Sequence, residues 1–305
     1  MSIHKPVLLN ETVNLMNLKP DSIVVDATLG GGGHSREILK KIKNGKLIAI
    51  DADNEAIKNF ETGENIFLVN ENFVNLENIL ADLKIEKVDA VLADLGWSSD
   101  QLEGKGMSFR KDEPLDMRLD MNQELSAKKI VNEYGQTELE NIIKNYGEER
   151  FWKNIAKKII EYRKVKKIET TKELACVISD AVPSKYKFDK INPATRTFQA
   201  LRIETNNELE NLKKFIPVAI KSLNFGGRLA IISFHSLEDR IVKNSFRENA
   251  RGCIFTDPIT GQKTVEDAPV IKIISRKPVT AGEKEIKDNS RARSAKLRVC
   301  EKIVR

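Results

Sequence analysis

The 305-residue chain has only three cysteines, Cys176, Cys253 and Cys300, too far apart for any CxxC pair. That spacing argues against a structural zinc site and against a disulfide framework. No cluster of metal-ligating residues stands out, so no metal is expected. Nowhere do apolar residues run unbroken for the ~20 positions that a membrane helix needs. The opening stretch, MSIHKPVLLNETVNL, meets polar and acidic residues too early for a signal peptide. A soluble cytoplasmic protein is the expectation. Internal repeats and low-complexity segments are also missing.

What remains is an ordinary globular composition, 40% hydrophobic, which supports a proper core and excludes wholesale disorder. The length suits two domains, or one large domain with an insertion. The charge of +6 is unevenly placed: residues 272–305 hold eleven Lys/Arg and four Asp/Glu, so the preceding 271 residues sum to −1. A localised basic segment is what phosphate binding requires, and it is equally what a solvated tail looks like.

The first third alternates strands and helices. Short β-branched or apolar runs at 22–26, 46–51, 66–69 and 88–94 are separated by helical patterns at 35–42, 54–60 and 74–83. Ser35 is placed to cap the first of these helices. Such alternation implies crossovers and a parallel sheet covered on both faces. From 96 to 120 the chain is polar and irregular. Helical spacing then dominates at 134–146, 149–164 and 172–182, and again at 211–221. Strand patterns return at 227–234, 271–274 and 296–300. The expected organisation is an α/β domain made of residues 1–108 and 205–305, interrupted by an all-helical insertion at 109–204.

Four glycines, Gly30 to Gly33, follow the first strand and open a helix. Glycine there lets backbone amides approach a ligand from a helix N-terminus. No Gly-Lys-Ser/Thr follows, which excludes the P-loop. A GxGxxG fingerprint begun at Gly30 would place its third glycine on Ser35. Asp51 ends the second strand, where a carboxylate accepts both hydroxyls of an unphosphorylated ribose; Asp53 is the weaker candidate. Asp26, ending the first strand, is placed for the amino group of an amino-acid moiety. Asp94 ends the fourth strand and precedes Leu95, Gly96, Trp97, Ser98 and Ser99. NAD has no need of three such carboxylates, whereas a cationic amino-acid nucleoside does. Methyl transfer is therefore the better reading. Phe73, just past the third strand, suits a ring laid against adenine, or an ordinary core aromatic.

A series of segments runs the length of the chain: HKPVLLNE at 4–11, GGHS at 32–35, DLG at 94–96 with Ser98 and Ser99, and PLDMR at 114–118. It continues with NPATR at 192–196, FQALR at 198–202, SFHSLE at 233–238 and SRARS at 290–294. In these segments the sequence resembles the bacterial 16S rRNA cytosine-N4 methyltransferase family. The resemblance implies a class I S-adenosylmethionine-dependent fold with an inserted helical domain that shapes an RNA-facing cleft. It implies S-adenosylmethionine as cofactor, held by Gly32, Gly33, His34, Asp51, Phe73, Asp94 and Gln101. The substrate it implies is a decoding-centre cytidine of 16S rRNA in the small ribosomal subunit, and it also admits a homodimer. Two departures are visible: Trp97 stands where the family has a small aliphatic residue, and four glycines replace a more mixed loop. Stacking of Trp97 on a flipped cytosine is one reading; local packing is favoured.

Cytosine's exocyclic amine is a weak nucleophile, because its lone pair is delocalised into the ring. Transfer needs in-line placement plus acceptors for the amine's hydrogens. Orientation of this kind lowers barriers by up to ~7–11 kcal/mol. Asp94, or backbone carbonyls at 95–97, is the expected acceptor set. His235 is read either as a catalytic residue near the base or as a histidine that orders its loop; His34 is expected to order the glycine loop, and His4 to be structural. Arg118, Arg196 and Arg202 suit RNA phosphates, with salt bridges as the plainer reading. Arg291, Arg293 and Arg298 are expected to extend that basic surface. The competing functions are a DNA amino-methyltransferase, an NAD-dependent oxidoreductase and a catalytically dead RNA-binding scaffold.

Overall fold

The computed structural model describes residues 5–97, 104–186, 192–251, 253–256 and 263–304. The chain divides into two compact units, Met1–Trp97 with Leu209–Arg305, and Ser98–Glu208. The second unit is somewhat wider than the 109–204 segment drawn from the sequence.

In the first unit the strands are β1 (Ile23–Asp26), β2 (Lys46–Asp51), β3 (Ile66–Asn70), β4 (Val88–Asp94) and β5 (Leu223–Ser233). The chain continues with β6 (Cys253–Thr256), β7 (Lys263–Asp267), β8 (Ile271–Ile273) and β9 (Lys296–Lys302). Seven of them form one sheet in the order β3-β2-β1-β4-β5-β9-β8, and β6 pairs with β7 as a separate hairpin. Strands β1 to β5 run parallel, and β9 is antiparallel to both β5 and β8. Helices α1 (Leu9–Leu15), α2 (Gly33–Lys41), α3 (Asn54–Lys58) and α4 (Leu76–Asp82) precede or link the first four strands.

Side-chain alternation along each strand explains why the sheet is covered twice. Val25, Ile48, Ile50, Val91 and Ile231 enter one buried cluster with Leu76, Phe215 and Phe246. Their neighbours Val24, Leu47, Ala49, Leu92 and Ile232 enter the other, with Leu8, Ile38 and Phe60. Truncating a fully buried member such as Leu47 or Ile48 to Ala carries a cost of ~2–5 kcal/mol.

The second unit is helical: α5 (Ala127–Glu133), α6 (Gln136–Asn145), α7 (Trp152–Arg163), α8 (Thr171–Ala181) and α9 (Ala194–Asn206). Its core is built from Ile130, Leu139, Ile143, Ile155, Ile159, Leu174 and Leu201, all fully buried. The pattern at 134–146 predicts one helix, but Tyr134 adopts an extended conformation between α5 and α6. Gly135 caps α6, its N–H donating to Glu138 Oε2 at 2.6 Å, so the helix starts at Gln136, and the Tyr134 hydroxyl is left to donate to Glu204 Oε1 at 2.8 Å. A Thr170–Glu173 capping box starts α8. The chain re-enters the first unit through α10 (Glu208–Ser222), followed after β5 by α11 (Ser236–Arg251) and later by α12 (Glu283–Asp288). Among the described residues, no helix is long and apolar enough to cross a membrane.

Candidate functional site

Strand order reverses at the β1–β4 boundary, since the chain builds outward through β2 and β3 before returning to β4. Open α/β sheets bind ligands beyond the carboxyl ends of the strands at such a switch point. Asp26, Asp51 and Asp94 end β1, β2 and β4 there. The loop leaving β1 is stitched to both neighbouring strands. Ala27 N–H donates to Leu92 O at 2.8 Å and Leu29 N–H to Ile50 O at 2.9 Å.

Gly32, with φ +71°, is the left-handed residue that starts α2. A Cβ there would lie 2.4 Å from the Phe60 ring, so both strain and space require glycine. A Cβ on Gly33 would meet Pro6 at 2.8 Å. The N-terminal segment thus lies directly on the loop, tethered by Leu8 N–H to Glu285 Oε1 at 2.8 Å and by Asn289 Nδ2 to Lys5 O at 3.1 Å. Ser35 does not cap α2 as its sequence position suggested. Helix α2 begins two residues earlier, and the Ser35 hydroxyl donates to Asp26 Oδ2 at 2.6 Å.

The three carboxylates are held differently. Asp26 is buried; Thr28 N–H donates to its other oxygen at 3.2 Å. Burial raises its carboxyl above the usual range, opposed chiefly by the Ser35 hydrogen bond. Asp51 accepts Gly30 N–H at 2.7 Å on one oxygen and Asp53 N–H at 2.8 Å on the other. The weaker candidate Asp53 is a helix cap, accepting Glu55 N–H at 3.2 Å at the start of α3. Asp94, with its side chain 13% exposed, accepts Gly96 N–H at 3.0 Å. Burial pushes the Asp94 carboxyl up to about 7; Gly96 N–H and the Arg291 charge oppose this, and the Glu238 charge adds to it.

His34 sits against Asp94. Its Nε2 lies 3.1 Å from Val7 O and its Nδ1 lies 3.5 Å from Asp94 Oδ2. A carbonyl only accepts, so Nε2 carries the hydrogen and Nδ1 presents its lone pair to Asp94. Burial lowers the His34 pKa, which favours this neutral form. Besides these two groups, Asp26 and Glu285 are the charges acting on the ring.

Phe73 lies in a short 3-10 turn after β3, its ring edge-on to Phe215 with centroids 4.9 Å apart. Gln101, Ser98 and Ser99 fall outside the described residues. His235 precedes α11 in a reciprocal cap: Glu238 N–H approaches its Nδ1 at 3.4 Å, and Glu238 Oε2 accepts Phe234 N–H at 2.7 Å and His235 N–H at 3.2 Å. Its Nε2 is 3.0 Å from Glu238 Oε1. Both ring nitrogens therefore face Glu238, an arrangement that orders the turn.

Several arginines are committed to the fold. Arg118 forms a bidentate pair with Asp116 at 2.7 and 2.8 Å, and also donates to Gln123 O. Arg202 pairs with Glu208 through two contacts of 2.9 and 3.1 Å. Arg298 does not extend an exposed basic tail: it lies buried on β9, donating to Asp239 Oδ1 at 2.6 Å. Arg196 is half-exposed, 4.0 Å from Glu149. Arg291 was the role missed: the basic segment returns it close enough to Asp94 for its charge to act there.

A doubly wound sheet with a glycine loop at its switch point and acidic residues along that edge defines a nucleoside-binding α/β enzyme fold. The profile of the MraW methylase family matches residues 1–303, and the chain belongs to that family. It is 49% identical to the ribosomal RNA small subunit methyltransferase H of Clostridium botulinum, over 98% of this chain and 99% of that one. It is likewise 49% identical to the protein of that name from Halothermothrix orenii, over 99% of each. Among solved structures, an rRNA methylase from Streptococcus thermophilus aligns over 100% of both chains at 13% identity and a TM-score of 0.44. The doubly wound seven-stranded sheet, with β9 antiparallel between β5 and β8, is the class I arrangement expected from the sequence.

Proposed function

We propose that this chain transfers the methyl group of S-adenosylmethionine to the N4 amine of a decoding-centre cytidine of 16S rRNA, giving N4-methylcytidine. The observation that carries this reading is the family match across residues 1–303, joined to 49% identity with a small subunit methyltransferase over 98% of this chain. A DNA substrate or a nicotinamide cofactor has no support in either.

The residues present fit the cofactor. Gly32 and Gly33 let the loop pack against Phe60 and Pro6, contacts that any Cβ would break, and so keep the N-terminus of α2 at the switch point. Asp51 is aligned by two backbone N–H groups, and a carboxylate oxygen accepts more than one hydrogen bond, so ribose hydroxyls are compatible with the same oxygens. The cofactor set is Gly32, Gly33, His34, Asp51, Phe73, Asp94 and Gln101. When bound, S-adenosylmethionine supplies an electrophilic methyl on a sulfonium.

Asp94 is the acceptor for the target amine. As carboxylate it holds an N4–H during attack and takes the proton once the nitrogen is methylated. A pKa near the working pH lets it accept that proton and release it again. His34 positions Asp94 and offers Nδ1 to the acquired proton. His235 is assigned the ordering of the turn after β5 rather than proton transfer. The helical unit serves substrate recognition, and the small ribosomal subunit is the partner.

The test is methyl transfer from labelled S-adenosylmethionine to purified, unmodified small subunits, followed by nucleoside analysis. N4-methylcytidine is expected. Labelled product at another nucleoside, or none with the cofactor still bound, would contradict the reading.

A further inference from the structure

Within the helical unit, residues 144–172 carry ten Lys/Arg against four Glu, a local excess of +6 that the totals conceal. Part of this charge is interleaved with aromatic rings. Lys144 Nζ and Lys153 Nζ stand 5.2 and 5.0 Å from the centre of the Trp152 ring. Arg150 lies 5.3 Å from the Phe151 ring and 4.4 Å from the Tyr186 ring, and Lys185 is 5.1 Å from Tyr186. The two rings pack with centroids 4.9 Å apart, and Arg150 Nη1 donates to the Tyr186 hydroxyl at 3.0 Å.

All four cations are exposed, and the three rings are half-buried. Among the described residues, none of the four is ion-paired with a carboxylate. Elsewhere on the same stretch Lys157 pairs with Glu161, and Lys166 with Glu173. Two ammonium groups on one indole repel each other, and without an anion between them the arrangement has an unmet electrostatic demand. Half-exposed π-faces beside unpaired cations suit a ligand that carries both phosphates and unstacked bases. A duplex offers phosphates but hides its base faces, and an acidic peptide lacks flat ring systems.

We propose that the rings of Phe151, Trp152 and Tyr186, with the cations set around them, hold an unpaired segment of the substrate RNA. Phosphates replace the rings as partners of the cations, and bases stack where the cations had lain. Arg196, half-exposed at the edge of the same region beside Glu149, extends the positive border. This inference rests on the rRNA reading above and names the surface that meets the RNA.

The experiment measures binding apart from catalysis, with unmodified 16S rRNA transcript and purified small subunits as separate probes. Lys144→Gln/Arg150→Gln/Lys153→Gln is compared with a control of equal charge change, Lys40→Gln/Lys58→Gln/Lys213→Gln. Three lost contacts to single-stranded phosphates should lower the slope of log affinity against log salt by ~2, at ~0.7 per phosphate. The control should leave the slope unchanged, and S-adenosylmethionine affinity should be equal in all three proteins. Trp152→Leu should weaken RNA binding by about fivefold or more with the slope intact, the sign of a lost stacking contact. An unchanged slope and affinity in the triple variant would overturn the proposal. So would a loss confined to assembled subunits, which would give the surface to a ribosomal protein. If the wild-type chain binds RNA through this surface but forms no N4-methylcytidine, the function reading fails while the surface stands.

Discussion

Asp51 and Asp94 close two strands of the same sheet edge, and the chain treats them in opposite ways. Asp51 receives two backbone N–H groups, one per oxygen, from Gly30 and Asp53. Those donors come from the loop and the turn that flank any ligand, so the carboxylate is fixed in place. Asp94 receives one among the described residues, from Gly96, and shares a buried space with His34 and the charge of Glu238. The first environment suits an acceptor that keeps its geometry and its role through the reaction. The second suits a group that changes protonation state. Under the proposed function, loops that differ by a few backbone hydrogen bonds would divide binding from chemistry along one edge.

Asp94→Asn is the change with the largest expected effect. The amide cannot take a proton, so turnover should fall by roughly 10²–10⁴-fold, the range for a lost general base. Cofactor affinity should fall less than in Asp51→Ala, because the asparagine oxygen can still accept Gly96 N–H and a cofactor donor. The same variant should be more stable than wild type at neutral and alkaline pH. Asp94 is raised from 3.8 to about 7 in the fold, so between those values the native state holds a proton that the unfolded chain releases. Stability therefore falls as pH rises across that interval, and asparagine removes the fall, on the order of 1–4 kcal/mol. Denaturant titration at pH 5 and pH 8 reads it. Equal stability of the two proteins at pH 8 would place the carboxylate in a better solvated site.

Asp51→Ala should do the converse, weakening S-adenosylmethionine binding by about ten- to a hundredfold in calorimetry through loss of charged hydrogen bonds. Turnover at saturating cofactor should stay within a few-fold. Gly32→Ala should destabilise the chain by ~2 kcal/mol or more, since it combines a positive φ with a clash on Phe60. The smallest effect is expected from His34→Gln. Its amide reaches the Nε2 position and keeps a donor toward Val7 O, but nothing accepts from Asp94. The apparent pKa of turnover should move down by about one unit, because the protonated carboxyl loses its partner. An unmoved pKa would leave His34 with a loop-ordering role alone.

The parallel strands were legible because each contains a short apolar run, and the aspartates that end β1, β2 and β4 also marked the ligand edge. Helix α9 was less so: NPATR and FQALR stood out as motifs, yet their polar residues masked a helix buried on several sides. The start of α6 at Gln136 rather than Tyr134 had a local signal in Gly135 and Glu138, whereas the Tyr134–Glu204 contact joins residues seventy apart and lies in no local pattern. Charge arithmetic placed a basic segment at 272–305, but its residues divide between a buried strand, where Arg298 is paired, and a turn that returns Arg291 toward Asp94. Charge in a sequence gives quantity without direction. His34 was readable as a loop residue; that its second nitrogen faces Asp94 follows only from the path of Val7, fixed by contacts with residues 285 and 289.

The most direct test of the division between the two carboxylates is the pH dependence of single-turnover methyl transfer, at saturating cofactor and RNA. For the wild-type chain the rate should rise with pH through an apparent pKa near 7, as Asp94 loses its proton, and Asp51→Ala should keep that midpoint. A rate that is flat from about pH 5 to 9 with binding saturated, or a midpoint that survives in the residual activity of Asp94→Asn, would contradict it.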